Sequence, residues 1–222
     1  ITTKKGKEGR IATNYSVTTG FARPVNKFDL LGASDFVTIS NEKRSNRGQS
    51  DWAAGLDFNT DWQDLVLNNN AFQQDHNLSF SGGTEFLKYY LSIGYTEQES
   101  IAKPNEFKRF TYRANLEQKI KDWVSVGVNA GLTQSEYFGL NTGTNSLSGN
   151  IFNATRQHPN VSPYDANDPT GYNLDDTFPD RMGRGTNLET VGDNIPNIIF
   201  VVENNKYFSK INRLIGNVYA DI

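Results

Sequence analysis

Residues 123–135 read WVSVGVNAGLTQS, with every second position from Val124 to Leu132 apolar and Ser125, Gly127, Asn129 and Gly131 between them. A period of two predicts a β-strand with one greasy side and one polar side. The strand before it repeats the pattern, with Phe110, Tyr112, Ala114 and Leu116 opposite Arg109, Thr111, Arg113, Asn115 and Glu117. Only KIKD, residues 119–122, joins the two. Such a pair needs hydrocarbon on one side and water or polar groups on the other. An ordinary soluble core does not offer that.

The alternation continues elsewhere. Ile11, Thr13, Tyr15, Val17, Thr19 and Phe21 share one side of a strand over 11–21; Leu78 and Phe80 do so in 75–81, and Tyr89, Leu91, Ile93 and Tyr95 in 87–96. Leu214, Gly216, Val218, Ala220 and Ile222 close the series. Apart from 75–81, these runs approach the roughly nine to eleven residues that cross a bilayer at a tilt. Soluble strands average about five or six.

The connections at 24–73, 82–86, 97–106, 119–122 and 136–208 are long, short, middling, short and very long. In an up-and-down meander alternate connections share a rim, so the long ones gather at one end and the tight turns at the other. That asymmetry is typical of an outer-membrane barrel. The expected fold class is therefore all-β, a membrane-spanning antiparallel β-barrel segment. Short helices are predicted over 34–40 with Ser34 as cap, behind Thr60, and before Pro159.

Composition narrows the alternatives. Twenty-two basic against twenty-five acidic residues leave a charge of -3, without the basic surface of a nucleic-acid partner. There is no cysteine, hence no disulfide or thiolate chemistry. No run reaches the roughly 18 apolar residues of a membrane helix, which says nothing against a barrel. The chain opens on ITTKKGKEGR and stops inside an alternating strand, so it is expected to be a piece of a longer polypeptide.

Several stretches carry a family likeness. ITTKKGKEG resembles the end of the plug domain of TonB-dependent outer-membrane transporters. NTDWQDLVLNNNAFQQDHNLSFSGGTEFLKYYLSIGYTEQES and FKRFTYRANLEQKIKDWVSVGVNAGLTQS resemble the SusC/RagA-like branch of Bacteroidota, as do ATRQHPNVSPYD and NRLIGNVYADI. The resemblance implies a roughly 22-stranded barrel around an internal plug. Residues 1–9 would end the plug and 10–222 would begin the barrel. It also implies import of glycans or peptides, a SusD-like surface lipoprotein as partner, and energy from the TonB complex through sequence that is not in this chain. Six strands cannot enclose a plug. A passive porin or structural barrel, and a soluble β-rich carbohydrate-binding module, are the competing readings.

Candidate sites follow from the two faces. Tyr89, Leu91, Ile93, Phe110, Tyr112, Leu116, Val124, Val126 and Val128 are expected to face lipid, because exposed together they would form a patch that only lipid or a partner tolerates. Arg109, Arg113, Asn115 and Glu117 then face the lumen or plug. Trp123, Tyr95 and Phe107 fall near strand ends, where amphipathic rings favour the membrane boundary, although Trp123 sits in the polar phase. Tyr137, Phe138, Phe152, Tyr164, Tyr172 and Phe178 are candidates to stack on substrate or meet a partner in the external loops, against ordinary loop packing. Lys4, Lys5, Lys7 and Arg10 read as a polar crossing where plug meets barrel, by the family likeness.

No chemistry stands out. Asp175, Asp176 and Asp180 offer carboxylates but no calcium-loop spacing, and read as a solvated loop. His76 and His158 lack second ligands for zinc, no serine sits in a nucleophile elbow, and GRGTNLETVG follows a loop rather than a strand. No catalytic residue, metal or cofactor is assigned.

Overall fold

The computed structural model describes residues 6–140, 149–179, 181–184 and 195–222. Six strands, β1 (Gly9–Ala22), β2 (Ala71–Gly83), β3 (Leu87–Glu99), β4 (Glu106–Lys121), β5 (Val124–Gly139) and β6 (Tyr207–Asp221), pair antiparallel in sequence order. The alternating runs are thus strands, each longer than the sequence pattern alone marks. The short 75–81 run extends at both ends because Gln73, Gln74, Gly82 and Gly83 still find ladder partners on β3. Polar side chains end an apolar pattern without ending the backbone ladder.

The connections are 23–70, 84–86, 100–105, 122–123 and 140–206. The long ones leave one rim and the two tight turns the other, as expected for a meander.

Among the described residues four helices punctuate the long connections. α1 (Ala33–Ser45) is longer than predicted and begins behind Gly32, which makes no side-chain cap bond. Ser34 is not the cap; it lies in the first turn, where its carbonyl accepts from Thr38 Oγ1 at 2.9 Å. Asp35 near the start and Lys43 and Arg44 near the end complement the helix dipole. α2 (Trp62–Val66) is capped by Asp61, whose carboxylate accepts from the amides of Gln63 and Asp64. α3 (Asn150–Ala154) stops before Pro159, and α4 (Ile198–Asn204) was not foreseen.

The hydrophobic core lies in the connections, not under the sheet. Trp62, Val66, Leu67, Leu140, Ala154, Val161, Met182, Ile195, Ile198, Ile199 and Val202 form one buried cluster. Of the buried hydrophobic residues only Ala71 belongs to a strand. The sheet has no second layer among the described residues, and its apolar side stands open: Leu91 and Tyr112 are each 41% exposed.

Two glycines allow close approaches that a side chain would block. Gly6 lies against the backbone of Gly82 and Tyr89, bringing the start of the described chain onto the sheet at the tight-turn rim. On the polar face, the Tyr219 ring covers Gly127 and its hydroxyl donates to Glu117 Oε2 at 3.0 Å. A Cβ at Gly127 would overlap that ring. Gly127→Ala is therefore expected to displace Tyr219 and cost about 1–3 kcal/mol by overpacking. Urea unfolding of the intact protein in lipid, with Tyr219→Ala as comparison, measures it.

Candidate functional site

Register fixes which side chains share a face. Tyr89, Leu116 and Val128 stand in one row, Ile93, Tyr112 and Leu132 in the next but one, with Leu91 opposite Ala114 between them. All nine residues expected to face lipid fall on this side, with Ile11, Tyr15, Val17, Leu214 and Val218 extending it to both edges. At the long-loop rim the same face changes character within one row. Gln74, Glu97, Lys108, Glu136 and Lys210 follow one another in register across five strands.

That row is bonded in two stretches, Gln74 to Lys108 and Glu136 to Lys210. Gln74 Nε2 donates to Glu97 Oε2 at 2.7 Å, and Tyr95 hydroxyl donates to the same oxygen at 2.9 Å. Lys108 pairs with Glu97 at 3.2 Å and with Glu106, and Lys210 with Glu136 at 2.6 Å. Just inside it Tyr15, His76, Tyr95 and Phe110 form an aromatic chain with centroids 6.1, 6.4 and 4.8 Å apart. From Leu87 to Tyr95 the apolar face runs nine residues of β3 before the charges begin. That is roughly 26 Å of strand, or about 20 Å of height at barrel tilt, near the apolar band of a membrane barrel.

The opposite face carries Arg109, Arg113, Asn115 and Glu117. Arg109 Nη2 donates to Thr96 Oγ1 at 3.2 Å, and Thr96 donates in turn to Asp75 Oδ2 at 2.7 Å. The guanidinium of Arg109 sits 5.8 Å from the Phe107 ring centroid. Glu117 is 3.9 Å from Lys88 Nζ, besides accepting from Tyr219.

The three connections at the long-loop rim merge into one body. Thr60 N donates to Pro159 O at 2.7 Å, and Trp62 Nε1 to His158 O at 2.9 Å. Lys103 N donates to Val66 O at 2.9 Å, and Asn150 Nδ2 to Lys103 O at 2.6 Å. Asn197 is fully buried and makes four bonds: Nδ2 donates to Pro163 O and Asn173 O, and Oδ1 accepts from the amides of Ile199 and Phe200. It caps α4 while tying down the segment before it.

His158 packs against Phe36 at 4.7 Å and Trp52 at 6.4 Å between ring centroids. Burial lowers its pKa below the usual 6.5. The unfolded chain then binds more protons than the folded one between the two pKa values, so folding loses stability as pH falls below about 6.5. Amide protection factors in α1 and α2, referred to the intrinsic exchange rate at each pH, are expected to fall from pH 7.5 to pH 5.5, and His158→Phe to flatten that dependence.

No family model matches the chain. The TonB-dependent receptor SusC of Bacteroides thetaiotaomicron is 30% identical over 167 residues, covering 74% of this chain and 16% of that protein. A TonB-dependent receptor of Formosa agariphila is 29% identical over 170 residues, covering 75% and 16%. The structure of the RagAB peptide transporter superposes on 98% of this chain and 27% of its own with a TM-score of 0.68 at 19% identity. This chain is similar to a segment of the SusC-type TonB-dependent receptors, and its fold is that of the RagAB structure.

The chain spans about 16% of the length of these curated relatives. Their names are those of receptors, and the structure is that of a transporter; none is an enzyme. The likeness of fold makes the six strands a segment of a SusC/RagA-like barrel wall.

Within this SusC/RagA-like chain the candidate loop aromatics divide. Tyr137 and Phe138 are strand residues, since β5 runs to Gly139; Tyr137 packs on Phe107 of β4 at 4.8 Å. Tyr164 and Tyr172 come together, 5.8 Å apart, and both hydroxyls donate to Glu203. Phe152 and Phe178 each lie under an arginine, Arg156 at 5.3 Å and Arg181 at 3.9 Å. Trp123 falls in the turn before β5, exposed, with Lys121 Nζ 5.7 Å from its ring.

Asp175 accepts from the amides of Thr177 and Phe178, a turn-forming use of its carboxylate. Asp180, Lys4, Lys5 and most of GRGTNLETVG lie outside the described residues. Among the described residues no group of three His, Asp or Glu stands at metal-binding spacing.

The ionic row was missed, although its signal is in the sequence. Glu97, Lys108, Glu136 and Lys210 each occupy the apolar phase of their strand, one or two alternations beyond the last greasy residue. Asn197 had no comparable signal, because its partners are brought together only by the fold.

Proposed function

We propose that this chain forms part of the wall and external loops of a bacterial outer-membrane barrel that imports nutrient oligomers, glycans or peptides, with energy supplied through TonB. Residues 1–9 end the plug and 10–222 belong to the barrel. The partner at the long-loop rim is a SusD-like surface lipoprotein. Outer-membrane lipid covers Tyr89, Leu91, Ile93 and the rest of that face, while Arg109, Arg113, Asn115 and Glu117 meet the plug or the water of the lumen. Tyr164, Tyr172, Phe152 and Phe178 are the loop positions offered to substrate or lipoprotein.

The observation that carries this reading is the inversion of burial: the connections hold a hydrophobic core while the strands leave a regular apolar face uncovered. A soluble module would place its core under the sheet. The similarity to TonB-dependent receptors favours this reading over a passive porin.

The test uses the intact receptor in its native cells. Uptake of the nutrient should stop when the proton gradient is collapsed, and the protein should leave the envelope only with detergent. Uptake that continues without the gradient would favour the porin. Extraction by buffer alone would sink the membrane assignment.

A further inference from the structure

The polar face of the sheet contains a cavity of about 780 Å³, lined among others by Asp75, Tyr90, Asn115 and Asn129 and by two arginines, Arg113 and Arg213. Arg113 on β4 stands opposite Gly131 of β5, and Arg213 on β6 opposite Thr133. The two therefore flank β5 with an offset of two residues, which puts their Cα atoms about 12 Å apart by sheet geometry. Gly131 leaves the floor between them without a side chain.

These arginines differ from the other strand cations described above. Lys88, Lys108 and Lys210 each face a carboxylate, and Arg109 is bonded to Thr96. Among the described residues neither Arg113 nor Arg213 has an ion pair or a hydrogen bond to another side chain. The one acid lining the cavity, Asp75 on β2, already accepts from Thr96. A concave wall with two unpaired guanidinium groups and neighbouring amides is suited to a planar anion with two acceptor oxygens. Asp75 nearby disfavours an anion of higher charge by repulsion.

We propose that Arg113 and Arg213 form a carboxylate-binding site on the barrel wall. The proposal rests on the reading that this face lines the barrel interior. The carboxylate comes either from a side chain of the domain enclosed in the barrel or from an acidic solute in transit, and the experiment separates the two.

The intact receptor is imaged by cryo-electron microscopy alone and with millimolar glutarate, and glutarate binding is titrated for wild type and for the Arg113→Gln/Arg213→Gln variant. An interior side-chain carboxylate within about 3 Å of both guanidinium groups supports the site and assigns the first source. Glutarate seated there, with affinity lowered about tenfold or more in the variant, supports it and assigns the second. Arginines that face the interior but meet only water or neutral groups under both conditions overturn the site and leave the barrel standing. Arginines found against lipid overturn the barrel reading itself.

Discussion

Leu91→Arg in the intact receptor is expected to lower the free energy of folding into lipid by about 2–4 kcal/mol, the cost of a cation at the bilayer midplane on a barrel's outer face. Leu91 stands midway along the apolar run of β3, two rows from the aromatic chain and three from the ionic row, with Ala114 and Phe80 as its register neighbours. Neither neighbour can accept a hydrogen bond from a guanidinium, and the nearest carboxylates on that face lie rows away. Asn14→Arg, on the polar face opposite Ser79, is the matched control and should change stability by less than about 1 kcal/mol. Urea titration of receptor folded in vesicles reads both. Equal costs would mean that the two faces see the same surroundings, and the membrane reading would fail.

Trp62→Ala should be the most damaging change in the loops, at about 3–5 kcal/mol. The indole is 3% exposed, sits in the one hydrophobic cluster, and donates from Nε1 to His158 O across two connections. Truncation leaves a cavity and an unpaired, partly buried carbonyl together. The loss should be local. Amide exchange should quicken at Thr60, Leu67 and Val201, while the ladder between β3 and β4 keeps its protection. An equal loss of protection in the strands would mean that sheet and loops fold as one unit.

The strands were legible because each is an alternating run whose phase can be counted; only their ends were hidden. Tyr137 and Phe138 looked like loop residues because the polar Gln134, Ser135 and Glu136 end the greasy pattern there, yet the ladder to β4 continues to Phe138. The helices were harder. Gly32 and Asp61 outcompeted Ser34 and Thr60 as starts, and Thr60 was free for that reason to bond Val161 instead. α4 and Asn197 could not be found by pattern, because the first five residues of IIFVVEN are all apolar and their burial depends on segments far away in sequence. The same holds for the meeting of Arg113 and Arg213, which are brought to one cavity only by the pairing of both strands with β5.

If the proposed function holds, the core shared by the two longest connections limits how the protein can change what it imports. Grafting one connection from a relative would strand the other's share of that core, since Trp62 comes from one connection and Leu140 and Ile198 from another, yet they pack together. New preferences at such a mouth would then be inherited as a matched set, or be confined to the outermost residues that the set does not use.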